Sequence, residues 1–191
     1  MEASDLAVVA RVRAGDNDAF RLLVERHSRT TFRLAYRLTG HEHDAEDVVQ
    51  ETFLRAFRQI GQFQARSSFA TWLYRIAVNC AHDLLRQRPR HASARSLDDK
   101  NAEKIEVVDQ SAGADPHKVL ATAEVGHRLR VALADLSDQE RSAFVLRHYE
   151  GLSIEEIGHA LGLRTSATKH SVFRAVKKLR RSMAPLLGVE P

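Results

Sequence analysis

The stretch of sequence that decides the fold runs from Asp138 to Arg181 and reads DQERSAFVLRHYEGLSIEEIGHALGLRTSATKHSVFRAVKKLRR. Two Ser-x-x-Glu capping boxes, beginning at Ser137 and Ser153, each predict the start of a short helix. Gly151 and Gly162 follow at the distances where these two helices should end. Two short helices that lead directly into a third one are typical of a helix-turn-helix.

The third helix is predicted over residues 166–182, and it is both amphipathic and basic. From Arg164 to Arg181 the chain carries seven Lys or Arg residues and no Asp or Glu. An apolar stripe at steps of four, three and four residues is expected to pack on the preceding helix; the stripe consists of Val172, Val176, Leu179 and Met183. In a helix-turn-helix the last helix lies in the major groove of DNA, whereas a basic face on an ordinary bundle only meets water. The capped helices in front of this basic helix favour DNA binding.

The side chains that fall away from the apolar stripe are the candidates for contact with DNA. Five side chains fall away from the stripe, and the N-terminal ones among them are expected to face base edges: Lys169, His170, Phe173, Arg174 and Lys177. Those near the end of the helix are expected to meet phosphate or water: Lys178, Arg180 and Arg181.

The bulk composition is that of a soluble globular protein. The chain has 191 residues, of which 43% are hydrophobic and 28% charged, enough for one ordinary domain or two small ones. No apolar run approaches the roughly 20 residues that span a bilayer, and the acidic start of the chain is unlike a signal peptide. The single cysteine, Cys80, is typical of a reducing compartment, so we expect a cytoplasmic protein without membrane insertion. The net charge of +4 is compatible with a polyanionic partner.

Helical periodicity dominates the rest of the chain and predicts an all-α fold. Four further helices are expected: Asp18 to a stop at Gly40, about His43 to Gly61, Phe69 to about Gln87, and Leu120 to Leu136. The polar stretch of residues 88–116 carries no helical stripe and is too long for an ordinary loop, which predicts a flexible linker. We therefore expect two small helical bundles, residues 1–90 and 118–191, joined by a linker over residues 91–117, with the helix-turn-helix in the second bundle.

The N-terminal bundle separates its charges. Asp47, Gln50 and Glu51 lie on one flank of a helix with an acidic start, whereas residues 64–91 carry five arginines and one acid. An acidic face beside a basic face predicts two different partners. Trp72 and Tyr74, near a short polar loop, would suit stacking on unpaired bases. The alternative is a core anchor at Trp72, which is favoured for that residue taken alone, and a half-buried surface ring at Tyr74.

Three segments together resemble a known family: DAEDVVQETFLRAF, SFATWLYRIAVNCAHDLLR and GLSIEEIGHALGLRTSATKHSVFRAVKKLRR. They are similar to regions 2 and 4 of extracytoplasmic-function (ECF) sigma factors, the small two-domain members of the sigma-70 family. The resemblance covers nearly all of the chain outside the predicted linker. It implies a non-enzymatic subunit that binds core RNA polymerase and directs it to promoters.

The resemblance also implies roles for individual residues. The residues expected to dock on the clamp helices of the largest polymerase subunit are Asp47, Gln50, Glu51 and Phe53. The residues expected to capture and melt the −10 element are Gln64, Arg66, Ser67, Ser68, Trp72, Tyr74, Arg75, Asn79, Asp83 and Arg86. The residues expected to read the −35 element are Ser153, Lys169, His170, Ser171, Phe173, Arg174, Lys177 and Lys178. Further expected contacts are the flap of the second polymerase subunit and an inhibitory anti-sigma factor.

One segment departs from the pattern of the family. Family members often carry Gly-Thr-Val-Lys-Ser-Arg at the start of the last helix, where this chain has Ser166-Ala167-Thr168-Lys169-His170-Ser171. Ser171 therefore replaces a frequent arginine, and His170 is bulkier than the usual serine. The departure concerns the sequence preference at the −35 element rather than the fold.

Rival interpretations rest on fewer residues. His41 and His43 are a poor metal-ligand pair at this spacing, and no Cys-His cluster accompanies them, so we predict neither a metal site nor a cofactor. Cys80 lies on the apolar side of its helix and is expected to be a small buried hydrophobic residue. The absence of a glycine-rich phosphate loop or a nucleophile elbow predicts no catalytic residues. The strongest rival is a stand-alone helix-turn-helix regulator whose N-terminal half dimerises or senses a ligand.

Overall fold

The computed structural model describes residues 4–87 and 116–187, which contain eight α-helices and no strand. In chain order the helices are α1 Asp5–Arg13, α2 Phe20–Thr39, α3 Glu42–Gln59, α4 Phe69–Gln87, α5 Pro116–Ala134, α6 Asp138–His148, α7 Ile154–Leu161 and α8 Thr165–Leu187. Single 3₁₀ turns at Asn17–Ala19 and Ile60–Gln62 precede α2 and follow α3. The predicted all-α fold is confirmed.

Cap geometry confirms the predicted starts of α6 and α7 and the predicted end of α7, whereas α6 ends at His148, before the predicted Gly151. Both capping boxes form: Ser137 and Glu140 bond each other's backbone N–H at 3.2 and 3.3 Å, and Ser153 and Glu156 do so at 2.9 and 3.2 Å. Gly162 ends α7 with a φ of 66°, in the left-handed region that a residue without a Cβ adopts at little cost. These caps satisfy backbone groups that would otherwise have no partner at the helix ends.

One helix was missed in the sequence-based prediction, and the start of another helix was placed too late. Helix α1 was not predicted, although Ser4 caps it through the N–H of Ala7 and its inner face buries Val8, Val9 and Val12. Helix α5 begins at Pro116, earlier than the predicted Leu120 and just inside the predicted linker. Residues 88–115 lie outside the described part of the chain, so the linker itself stays a prediction.

Helices α1 to α4 form the first helical unit. Its centre is a set of fully buried side chains from all four helices: Val8, Leu23, Leu34, Leu38, Val48, Leu73 and Val78. Phe20 and Phe53 meet edge to face in this core, with ring centroids 6.4 Å apart. Burial of such apolar area is what holds helices of this length in place.

Helices α5 to α8 form the second unit, and its packing corrects the apolar stripe predicted on α8. The buried face of α8 consists of Thr168, Ser171, Ala175 and Leu179, whereas Val172, Val176 and Met183 are only half-buried. Helix α8 packs on α5 and α6 as well as on α7, so its inner face is turned away from the stripe that packing on α7 alone would select. Only Leu179 belongs to both sets.

The two units pack against each other in this structure. Buried residues of α6 and α7, including Val145, Leu146 and Ile157, share one apolar cluster with residues of α2 and α4. The sequence predicted two separate bundles, and nothing in the sequence pattern indicated that their cores are joined. The apolar faces of α6 and α7 therefore have a partner on the first unit.

Candidate nucleic-acid and protein interfaces

The outward face of α8 carries the basic residues predicted to meet DNA. Its exposed side chains are Lys169, His170, Phe173, Arg174 and Lys177, and Phe173 is 65% exposed. An aromatic ring so exposed among cations is costly in water unless it has a partner, because the ring gains free energy only when it is covered. The helix therefore presents one continuous surface of charge and aromatic area.

Three other residues predicted to contact the −35 element have structural roles within the second unit: Ser171, Ser153 and Lys178. Ser171 is buried, donates to the carbonyl of Ala167 at 2.9 Å and accepts a 2.7 Å hydrogen bond from Gln139. A direct contact between Ser171 and DNA is incompatible with this burial, and the residue instead ties α8 to α6. Ser153 is half-buried and serves as the N-cap of α7.

Lys178 is tied to the second unit by an ion pair. Its ammonium lies 2.6 Å from the Glu140 carboxylate, which also closes the capping box of α6. Burial raises the pKa of Glu140, but the hydrogen bonds from Lys178 and Ser137 outweigh it and hold the pKa below its usual value. Lys178 thus has a structural role besides any contact with phosphate.

The acidic flank of α3 is confirmed as an exposed surface, with one correction. Asp47 and Gln50 are exposed, and Leu54, four residues after Gln50, is 44% exposed on the same face. Phe53 is buried against Phe20, so it is a core residue and cannot dock on another protein in this conformation. The docking role of Phe53 came from the resemblance alone, and Leu54 was not among the residues that the resemblance implied.

Glu51 belongs to a local network of ions. Its carboxylate accepts a 2.6 Å hydrogen bond from Arg55, which also bonds Asp83 on α4 at 3.0 Å. These two hydrogen bonds raise the pKa of the Arg55 guanidinium. Asp83 in turn pairs with the exposed Arg86 at 2.9 Å, so the network ties α3 to α4.

A loop over residues 64–68 joins the 3₁₀ turn to α4 and opens onto a cavity of about 250 Å³. The cavity is lined by predicted −10 residues from both the loop and α4: Gln64, Arg66, Ser67, Trp72 and Arg75. Ser68 accepts a 3.0 Å hydrogen bond from the N–H of Thr71 and so caps α4. The structure therefore brings these residues together around one concave, basic and aromatic surface.

Trp72 combines the two interpretations that the sequence left open. Its ring lies 5.4 Å from that of Phe63 and 5.6 Å from that of Phe69, which anchors it in the core. The side chain is nevertheless only half-buried, and it lines the cavity beside the loop. Asn79 is exposed further along α4.

Tyr74 faces the second unit rather than solvent. It is buried, and its hydroxyl donates a 2.9 Å hydrogen bond to Glu150. Burial and the neighbouring Glu150 carboxylate raise the pKa of Tyr74 to about 12. Glu150 also lies 3.5 Å from Arg37, whose guanidinium sits over the ring of Tyr149 at 4.1 Å.

Further polar contacts cross between the units, among them a 3.4 Å hydrogen bond from the Thr71 hydroxyl to Glu156. His82 and Ser142 are 2.9 Å apart, and Arg141 donates a 2.7 Å hydrogen bond to the carbonyl of Leu38 at the end of α2. Arg141 also bonds the carbonyls of Leu133, Ala134 and Leu136 at the end of α5. Burial lowers the pKa of His82 and of Arg141. These contacts join residues far apart in sequence, and no local pattern indicated them.

The remaining candidate features of the described residues are the thiol of Cys80, possible metal ligands and possible membrane-spanning helices. Cys80 is buried, as predicted, and burial raises the pKa of its thiol, which disfavours the reactive thiolate. Within residues 4–87 and 116–187, no group of three His, Cys, Asp or Glu is placed to hold a metal ion. Among the described helices, none is long and apolar enough to cross a membrane.

Each of the two helical units matches a known protein family. Residues 23–91 match the family model for sigma-70 region 2, and residues 126–179 match the model for sigma-70 region 4. The chain is 33% identical to the ECF RNA polymerase sigma-E factor of Haemophilus influenzae over 187 residues, which cover 97% of this chain and 98% of that protein. The chain belongs to the ECF sigma factors of the sigma-70 family.

Two further comparisons agree with this membership. The ECF RNA polymerase sigma factor SigE of Mycolicibacterium smegmatis is 36% identical over 162 residues, covering 85% of this chain and 60% of that longer protein. The solved structure of CnrH in complex with the cytosolic domain of CnrY has a TM-score of 0.68 and 26% identity, and it covers 96% of this chain and 99% of CnrH. Helices α2 to α4 therefore lie in sigma region 2, and the helix-turn-helix of α7 and α8 lies in sigma region 4.

Proposed function

We propose that this sigma factor binds core RNA polymerase and directs it to promoters through two separate DNA contacts. The observation that carries the proposal is the opposite charge of two exposed faces, the acidic face of α3 in region 2 and the basic face of α8 in region 4. One face suits a basic protein surface, and the other suits the phosphate backbone and base edges of DNA.

Helix α8 reads the −35 element in this proposal. Lys169, His170, Phe173 and Arg174 face solvent in its first turns, where a recognition helix presents side chains to the major groove. Lys177, one turn further on, adds phosphate contact, and its contribution is expected to weaken with salt. Ser171 acts indirectly, through its hydrogen bonds within the unit.

The loop of residues 64–68 and the face of α4 capture the −10 element. Trp72 lines the cavity beside the loop, and α7 closes part of that cavity through His159 and Ala160, so separation of the two units would open this surface to a base. Stacking a base on an aromatic ring contributes about 1–3 kcal/mol, which offsets the few kcal/mol needed to unstack it from the duplex. Arg66 and Arg75 add positive charge at the rim of the same cavity.

Region 2 docks on the polymerase through the exposed face of α3. Asp47, Gln50 and Leu54 form this face in the structure, with Glu51 at its edge. The clamp helices of the largest polymerase subunit are the expected partner, and the flap of the second subunit is the expected partner of region 4. An apolar side chain surrounded by acids provides both area and charge complementarity.

We also infer regulation by an anti-sigma factor, a cytoplasmic location and no enzymatic activity. CnrH, a structurally similar protein, was solved in complex with the cytosolic domain of CnrY, which supports a protein partner for this chain. A protein that acts on polymerase and DNA has its partners in the cytoplasm. Nothing in the proposed role requires a reaction at the sigma factor itself.

Transcription in vitro with core polymerase tests the proposal. Core enzyme with the purified chain should start transcripts at defined positions on promoters selected from a duplex library, and core enzyme alone should not. A complex that forms but starts transcripts without selectivity would contradict the proposed promoter recognition. Failure to form a complex would contradict the docking role.

A stand-alone regulator remains the alternative to test. Such a protein would protect a palindromic site without polymerase, with half-sites about one helical turn apart. The same purified chain distinguishes the two proposals, because the sigma factor is expected to protect an asymmetric site only together with core enzyme.

A further inference from the structure

Arg13, the last residue of α1, binds the turn that leads into the loop of residues 64–68. Its guanidinium donates to the carbonyl of Ile60 at 3.0 and 3.1 Å and to that of Gly61 at 3.1 Å, and it also contacts the carbonyl of Phe63. The contacts join residues 47 to 50 positions apart in sequence. One cation thus holds the carbonyls of three residues in the segment that leads into this loop.

These carbonyls lie where α3 and its 3₁₀ turn end. The carbonyl of Ile60 also accepts a 3.3 Å hydrogen bond from the N–H of Phe63, and carbonyls at the end of a helix carry its partial negative charge. The planar guanidinium has five donors in a fixed arrangement, which a lysine ammonium cannot reproduce. Arg13 therefore fixes the direction in which the chain leaves the turn.

The loop that follows holds an unusual backbone conformation. Ala65 has a φ of 54°, in the left-handed region that residues with a side chain seldom adopt. Such a conformation persists only where the surroundings determine it. Arg13 lines one groove together with Gln64 and Ala65, while the buried ring of Phe63 anchors the loop from the core.

We propose that Arg13 is a positioning residue for promoter opening: it holds the loop of residues 64–68 in the conformation that meets the unpaired bases of the −10 element. The inference rests on the proposed role of the loop in −10 capture. Arg13 lines the neighbouring groove and not the cavity lined by Arg66, Ser67 and Trp72, so in this proposal it acts through the loop rather than by touching DNA.

The test compares holoenzymes that carry the Arg13→Ala or Arg13→Lys change with the wild type. Arg11→Ala is the matched control, because Arg11 lies on the same helix and pairs locally with Asp16 at 2.7 Å. Three quantities are measured for each protein: affinity for core polymerase, opening of a duplex promoter by permanganate reactivity, and the ratio of opening on that promoter to opening on single-base variants of its −10 element.

We expect both Arg13 variants to lower promoter opening by about tenfold, the factor that corresponds to one lost hydrogen bond to a charged group. We also expect the preference between −10 variants to flatten, while affinity for core polymerase and the Arg11 control stay at the wild-type level. A purely structural role would lower core affinity and opening together and leave the −10 preference unchanged, which overturns the inference.

A second variant keeps the inference testable if Arg13→Ala does not fold. Arg13→Lys keeps the positive charge but not the fixed set of donors, so it should flatten the −10 preference in the same way. Adding Ala65→Gly to Arg13→Lys lowers the cost of the left-handed conformation and should restore part of that preference. An unchanged preference in Arg13→Lys overturns the inference. A wild-type holoenzyme that opens no promoter would instead overturn the proposed function.

Discussion

The hydroxyl of Tyr74 in region 2 donates a 2.9 Å hydrogen bond to the carboxylate of Glu150 in region 4. The same carboxylate lies 3.5 Å from Arg37, which is stacked on Tyr149. Tyr74 was predicted to meet the −10 element, yet its hydroxyl is engaged by the second unit of its own chain. Contact between Tyr74 and DNA therefore requires the two units to separate.

Glu150→Gln is expected to shift the chain towards separated units. The change removes the ion pair with Arg37 and weakens the hydrogen bond from Tyr74, a loss on the order of 1 kcal/mol. Small-angle X-ray scattering should then show a larger radius of gyration than in the wild type. Glu155→Gln, an exposed acid on α7, is the matched control and should leave the radius unchanged. Equal radii for Glu150→Gln and the wild type would show that the carboxylate does not hold the units together.

Packing of the units is expected to weaken at acid pH through His82. Burial lowers the pKa of His82 below its ordinary 6.5, so a separated chain binds the proton more readily than the packed one. The contribution of neutral His82 to packing is therefore fully present above about pH 6.5 and is lost as the pH falls towards the lowered pKa. The charged groups that face His82 are Asp138, Arg86 and Arg141.

The pH effect is checked by scattering between pH 7.5 and pH 5.5, a range chosen about one unit to either side of the ordinary histidine pKa. His82→Gln should flatten the dependence, whereas His170→Gln, at an exposed position, should keep it. A wild-type profile that survives in His82→Gln would assign the effect to another group.

Asp47→Arg is expected to abolish binding to core polymerase at micromolar concentrations, because it reverses the charge at the centre of the α3 face. Asp47 is a cleaner test than Glu51, whose carboxylate also bonds Arg55 at 2.6 Å. Leu54→Ala should weaken binding by about tenfold through lost apolar area. Both variants should keep the DNA affinity of the wild type, measured on a −35 duplex. Normal core binding by both variants would show that the docking face lies elsewhere.

Arg174→Ala and Lys177→Ala are expected to affect promoters differently. Loss of a base contact at Arg174 should reduce transcription about tenfold or more from promoters with a strong −35 element and little from others. Loss of a phosphate contact at Lys177 should weaken all promoters by a similar, smaller factor. Lys177 is a cleaner test of phosphate contact than Lys178, because the Lys178 ammonium also pairs with the Glu140 carboxylate at 2.6 Å. Equal effects of both variants on every promoter would contradict the division of roles.

Local sequence signals predicted most of the fold. The two capping boxes, the glycine at the end of α7 and the apolar periodicity of α2 to α4 fixed those helices closely, because each signal acts within one turn of the backbone. The structure buries Phe53 and Ser171, whose surface roles came from the resemblance, because burial depends on which neighbouring helix packs there and no residue spacing reveals that helix. The contacts of Arg13, Arg141 and Glu150 join distant segments, so no spacing in the sequence could reveal them.

Hydroxyl-radical footprinting of a selected promoter tests the central claim most directly. The account predicts two separate protected segments on one asymmetric site, formed only when the chain and core polymerase are both present. Arg174→Ala should weaken one segment and Arg66→Ala with Arg75→Ala the other. A single symmetric footprint formed by the chain alone would contradict the claim that its two helical units recognise two different elements of one promoter.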